Sequence, residues 1–241
     1  AYEITTRLVG SEMCIRDNYM MAYPIYQIIV SISAAGIPVA ISIMIAEKLA
    51  NRDMRGVQQV FNVSLRVLTL VGIIFSVGLY ASAEWLIKWN IITDSRALIP
   101  IQLLSPAIIV VTILSCFRGY FQGFQYMVPT GTSQVFEQIF RVGSMVGLAY
   151  YFIDSGLHLA AGGATFATFP GVLAGLIVLV YFYRSQRSLR QQMLSEQNEE
   201  APIERTSAVI KRLFALAIPV SMANIMSVSY THLRAHETRS N

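Results

Sequence analysis

FNVSLRVLTLVGIIFSVGLYASAEWLIKW, residues 61–89, decides the architecture. It is a long, nearly unbroken apolar block with Trp85 and Trp89 near one end. Crossing a bilayer takes about 20 mostly apolar residues in a helix. No water in the lipid core can satisfy a free N–H or C=O, so only helices and closed barrels span it. The block lacks the alternation of a barrel strand, which leaves a membrane helix. The tryptophans sit where amphipathic rings favour the headgroup zone.

Similar blocks lie on both sides. The first expected span covers residues 19–49 and holds Pro24 and the Gly36-Ile37-Pro38 string, which predicts a kink or break. After the quoted block come spans over 98–121, 129–154 and 159–183, making five, and a sixth apolar run opens near Ala208. Thr130 or Thr132 is the candidate cap of the fourth span. Hydrophobic residues make up 54% of the 241-residue chain and charged residues 13%. A soluble domain carries about 25% charged residues, so this chain has too few to coat a water-facing surface. The expected fold is an all-α polytopic transmembrane helix bundle.

Charge sets the orientation. The net charge is +4, but the basic residues cluster in alternate loops, which points to membrane topology and not to nucleic acid as a partner. Lys48, Arg52 and Arg55 lie at or just after the end of the first span, Arg118 ends the third, and Arg184, Arg187, Arg190, Arg205, Lys211 and Arg212 follow the fifth. Positive loops prefer the cytoplasm. The first span therefore enters from outside, which predicts a further span before it. Membrane lipid is an expected partner.

The two ends read differently. Leu8–Asp17 (LVGSEMCIRD) and Val228–Thr238 (VSYTHLRAHET) have no helical or strand period and resemble translated sequencing-adapter sequence. The expected map is an adapter-like segment at 1–17, a five-span bundle at 18–184 and a cytoplasmic linker at 185–206. The start of a next span follows at 207–227, then a second adapter-like segment at 228–241. Cys14, His232 and His236 fall in the adapter-like ends and carry no functional weight. Cys14 and Cys116 suggest no disulfide framework. The three histidines show no metal-ligand spacing, so no metal is expected.

The chemistry concentrates in the fourth span. Gln134, Glu137, Gln138 and Arg141 fall at i, i+3, i+4 and i+7, which puts four polar side chains on one helical face. Ser144 and Met145 continue the stripe, and Phe136, Ile139, Phe140 and Val142 occupy the other side. Arg141 lies far enough from the helix start to approach the bilayer midplane, where ionisable groups face a partner or a wet cavity. Glu137 precedes Arg141 by four residues, the favourable order for a pair. Two readings stand: a structural ion pair that fixes packing, or one wall of a substrate cavity. Arg118 is either a topology anchor or an anion contact, and Gly119 and Gly123 beside it form a small-xxx-small pair for close helix approach. Gly143/Gly147 and Gly171/Gly175 read as packing notches. No nucleophile–base pair or phosphate-cradling loop is present in the sequence, so no enzyme activity and no cofactor are expected.

The strings YMMAYPIYQI (19–28), GIPVAIS (36–42) with AEKLA (46–50), RGYFQG (118–123) and MVPTGTSQVFEQIFR (127–141) carry a resemblance. They resemble the polysaccharide biosynthesis and stage V sporulation protein B-like branch of the MOP flippase superfamily. Two positions depart from it: Ile43, where many relatives have a basic residue, and Gly131, where relatives often have Ala. The resemblance implies a MOP/MATE-type transporter of about twice this length, of which this chain is the N-terminal lobe, family spans two to six and the start of span seven. It implies a flippase for a lipid-linked saccharide of cell-wall or polysaccharide biosynthesis, working by alternating access. Arg141, Glu137, Gln138, Gln134 and Arg118 are the candidate substrate-binding residues. The alternative is a cation-coupled multidrug-type antiporter on the same fold, in which Glu137 serves a coupling cation. A non-transporting membrane scaffold is the third reading.

Overall fold

The computed structural model describes the backbone of residues 36–88, 98–152, 163, 166–195 and 204–240, with side chains over 36–83, 102–151, 163, 166–195 and 204–223. Every extended element among them is a helix. Helix α1 covers 36–50, α2 Met54–Lys88, α3 Leu98–Gly123, α4 Val128–Phe152, α5 Thr168–Ser185, α6 Arg187–Ser195 and α7 Thr206–Ser240. The all-α expectation holds, and for the physical reason given: an apolar block in lipid must close its hydrogen bonds within itself.

Among the described residues four helical segments are long and apolar enough to cross a membrane: Met54–Ala83, Gln102–Gly123, Thr168–Ser185 and Thr206–Ala223. The fourth expected span is a helix of 25 residues but is not among these segments. Its polar stripe removes the apolar character that the other spans keep. Most of the first expected span, with Pro24, lies outside the described residues, and Pro38 sits in the first turn of α1. Residues 1–17 also lie outside them. The backbone of α7 continues through 228–240, although that stretch carries no helical apolar period.

Two turns are built alike. Asp53 N–H donates to Lys48 O at 2.9 Å and Arg52 N–H to Leu49 O at 3.0 Å, with Arg52 at φ 56°. After α3, Tyr126 N–H donates to Phe121 O at 3.0 Å and Gln125 N–H to Gln122 O at 2.9 Å, with Gln125 at φ 56°. Both are Schellman ends with a non-glycine residue in the left-handed region, a conformation that costs roughly 1–2 kcal/mol. Asp53 then caps α2, since Gly56 N–H donates to its Oδ1 at 2.7 Å. The expected cap of α4 moves: the helix starts at Val128, so Thr130 and Thr132 lie inside it and Pro129 takes an early position that needs no N–H.

The chain divides into two compact units. The first comprises Ala1–Ile28, Leu70–Val111 and Gly131–Val178. In it the Ser76 hydroxyl donates to Ser105 O at 2.7 Å, a buried link between α2 and α3 beside Pro106. Leu79, Ala83, Leu104, Ala107 and Ile108 on the same two helices are buried, whereas Leu70, Ile74 and Val77 on α2 are exposed, as a lipid-facing surface requires.

The second unit comprises Ile29–Thr69, Thr112–Thr130 and Leu179–Asn241. Here α3 lies directly on α1: a Cβ at Gly119 would meet Ile41 Cβ at 2.8 Å, and one at Gly123 would meet Ile45 Cβ at 2.7 Å. The small-xxx-small pair thus meets a partner helix. In lipid, association rests on such backbone approach and not on excluding water. Phe61 of α2 packs with Phe117, Tyr120 and Tyr183 at ring-centroid distances of 5.3, 4.8 and 5.0 Å. Arg190 of α6 lies over the Tyr183 ring, 3.6 Å from its centroid, so a cation–π contact docks the short basic helix on the aromatic cluster.

Candidate functional site

Helix α4 carries the site because its polar residues recur at helical spacing in an otherwise apolar segment. Arg141 Nη2 donates to Glu137 Oε1 at 2.6 Å. Their side chains are 30% and 11% exposed, so the carboxylate is the more enclosed member. Arg141 Nε is buried without a hydrogen-bond partner among the described residues. The helix register supplies this pair unaided, since residues four apart sit one above the other.

Close approach of α5 encloses the pair. A Cβ at Gly171 would come within 2.9 Å of both Arg141 Cβ and Glu137 O, and one at Gly175 within 3.3 Å of Ser133 O and 3.4 Å of Glu137 Cβ. The glycine notch therefore receives the Ser133–Glu137–Arg141 ridge. Gly143 and Gly147 meet nothing within 4 Å among the described residues, so that second expected notch has no helix in it there.

The expected four-residue stripe divides. Glu137 is buried and Arg141 half-buried, whereas Gln134 and Gln138 are exposed. The cause is angular. At about 100° per residue, Ser133, Glu137 and Arg141 span the centre of the packed face, and Gln134 and Gln138 stand about 60° and 100° round from Glu137. Phe136, Ile139, Phe140 and Val142 continue outward and are exposed. Arg118 is half-buried in α3 and belongs to the second unit.

Sequence reasoning missed three arrangements. It saw Gly171 and Gly175 as a notch but not that α4 fills it. It read Lys48 as a topology charge, whereas Lys48 Nζ lies 2.8 Å from Glu204 Oε1 and 3.5 Å from Asp53 Oδ2. The Glu204 partner holds the Lys48 pKa above its ordinary value, against the opposing effect of partial burial. It also passed over the aromatic cluster, whose only sequence signal is the density of rings in 117–126. Among the described residues no group of three or more His, Cys, Asp and Glu could hold a metal ion.

Four helical segments long and apolar enough to cross a membrane define the class: a polytopic α-helical membrane protein. The family model described as polysaccharide biosynthesis protein matches residues 6–233, and the chain belongs to that family. It is 31% identical over 187 residues to stage V sporulation protein B of Bacillus subtilis (strain 168), covering 78% of this chain and 36% of that protein. It is 26% identical over 225 residues to the lipid II flippase MurJ of the same organism, covering 89% of this chain and 41% of that one. The chain thus spans well under half the length of these relatives. It shares its fold with an inward-facing multidrug resistance MATE family transporter of the MOP superfamily. That similarity has a TM-score of 0.66 at 16% identity, over 83% of this chain and 44% of that structure. The chain is a multi-pass plasma-membrane protein of the polysaccharide biosynthesis family.

Proposed function

We propose that this chain forms part of a flippase that moves a lipid-linked saccharide across the membrane by alternating access. The observation that carries the reading is the Glu137–Arg141 pair, which α5 packs against while the Arg141 side chain stays 30% exposed. A guanidinium fork suits phosphate oxygens, which it binds through two parallel hydrogen bonds. Glu137 holds Arg141 when no anion is present, and a pyrophosphate competes for it on arrival. Gln134 and Gln138, exposed beside the pair, offer amide donors and acceptors to sugar hydroxyls. The lipid tail stays among the exposed apolar side chains of α4. The names of the two Bacillus relatives support this direction.

A second reading has its own observation. Glu137 is an enclosed carboxylate, the residue type a cation-coupled exporter uses, and the chain shares the fold of a multidrug transporter. The test is complementation of a flippase-deficient strain by the full-length protein, with membrane levels of each variant measured by blot. Arg141→Ala is expected to abolish export at normal abundance, Arg141→Lys to reduce it strongly, and Glu137→Gln to reduce it less. Normal export by Arg141→Ala would remove the head-group role. Loss confined to Glu137→Gln would favour cation coupling.

A further inference from the structure

We propose that the turn joining α1 to α2 and the residues leading into α7 form a releasable ion-pair latch. This inference goes beyond the flippase reading and does not depend on what the protein carries. One half of the latch is a fixed socket. Lys48 Nζ lies 3.5 Å from Asp53 Oδ2, and Asp53 is held in place as the cap of α2 through Gly56 N–H at 2.7 Å. The other half arrives from far along the chain. Glu204 places Oε1 2.8 Å from Lys48 Nζ, and its carbonyl accepts a hydrogen bond from Gln59 Nε2. Two turns into α7, Arg212 pairs with Glu47. These partners are 145 to 165 residues apart, so no helix register explains them.

The exposures separate socket from key. Lys48 and Asp53 side chains are 16% and 15% exposed, against 37% for Glu204 and 41% and 44% for Arg212 and Glu47. Removing one member of a buried pair is costly because it strands a charge. Here Glu204 can leave without that penalty, since Lys48 keeps Asp53. Half-exposed ion pairs are individually weak and sensitive to salt. The arrangement therefore closes specifically and opens at little cost. Opening frees the entry to α7 from the α1–α2 turn.

The experiment uses the full chain in membranes with Cys14→Ser, Glu47→Cys and Arg212→Cys, cross-linked by a short bismaleimide. Cys116 is buried and can remain. The Lys48–Glu204 contact then governs how often the two reporter cysteines meet. Adding Glu204→Gln is expected to slow cross-linking about two- to fivefold, in line with the modest strength of one partly exposed pair. Glu204→Asp is expected to restore much of the rate. Salt at about 1 M, where screening acts over about 3 Å, should slow the Glu204 form and leave the Gln form unchanged. Monodisperse elution in detergent confirms folding of each variant. Rates indifferent to both salt and residue 204 would overturn the latch and leave constitutive packing. So would no cross-link in any folded variant.

Discussion

Gly171 of α5 lies flush against Arg141 of α4: a Cβ on that glycine would sit 2.9 Å from Arg141 Cβ, with Glu137 O equally close. Neither atom can move aside without moving α4. The absence of a side chain on the neighbouring helix is thus what lets α5 close over the ion pair.

Gly171→Ala should therefore destabilise the protein by about 1–3 kcal/mol, the usual cost of overpacking, and lower export with it. Gly143→Ala is the control. It meets nothing within 4 Å among the described residues and exchanges a poor helix former for a good one, so stability should hold or rise. Thermal unfolding in detergent checks both. Equal behaviour of the two variants would contradict the α4–α5 contact.

Gln134 and Gln138 should separate function from folding. Both are exposed, so Gln134→Ala with Gln138→Ala should change stability by no more than about 0.5 kcal/mol per site. If they contact the saccharide, export should fall at unchanged membrane abundance. Full activity of the double variant would restrict recognition to Arg141 and Glu137.

Lys48 predicts a dependence on alkaline pH. Its folded pKa is raised, chiefly by the hydrogen bond to Glu204. A raised pKa contributes stability that is complete below the unfolded value of about 10.4 and lost as pH climbs through the folded one. The melting-temperature gap between the protein and its Lys48→Met variant should thus stay constant from neutral pH to about 10. Above that it should shrink. A gap that shrinks instead on acidification below neutral would assign the stabilisation to the carboxylates.

The basic start of the polar segment should be cytoplasmic. Ser188 on α6 is exposed, between Arg187 and Arg190. In intact cells Ser188→Cys should react with a permeant maleimide and resist an impermeant one. Labelling by the impermeant reagent would invert the orientation drawn from loop charge.

The sequence by itself determined the membrane class, the all-helical architecture and the Glu137–Arg141 pair. Each follows from composition or from contacts within about one helical turn, where register alone decides neighbours. Only the tertiary structure decided which edge of the polar stripe is enclosed. Periodicity put Gln134, Glu137, Gln138 and Arg141 on one arc, but the placement of Gly171 and Gly175 selects Glu137 and Arg141 from it. Lys48 and Glu204 show the same limit: 156 residues separate them, and the docking of α7's entry on the α1–α2 turn, not any local rule, brings their charges to 2.8 Å.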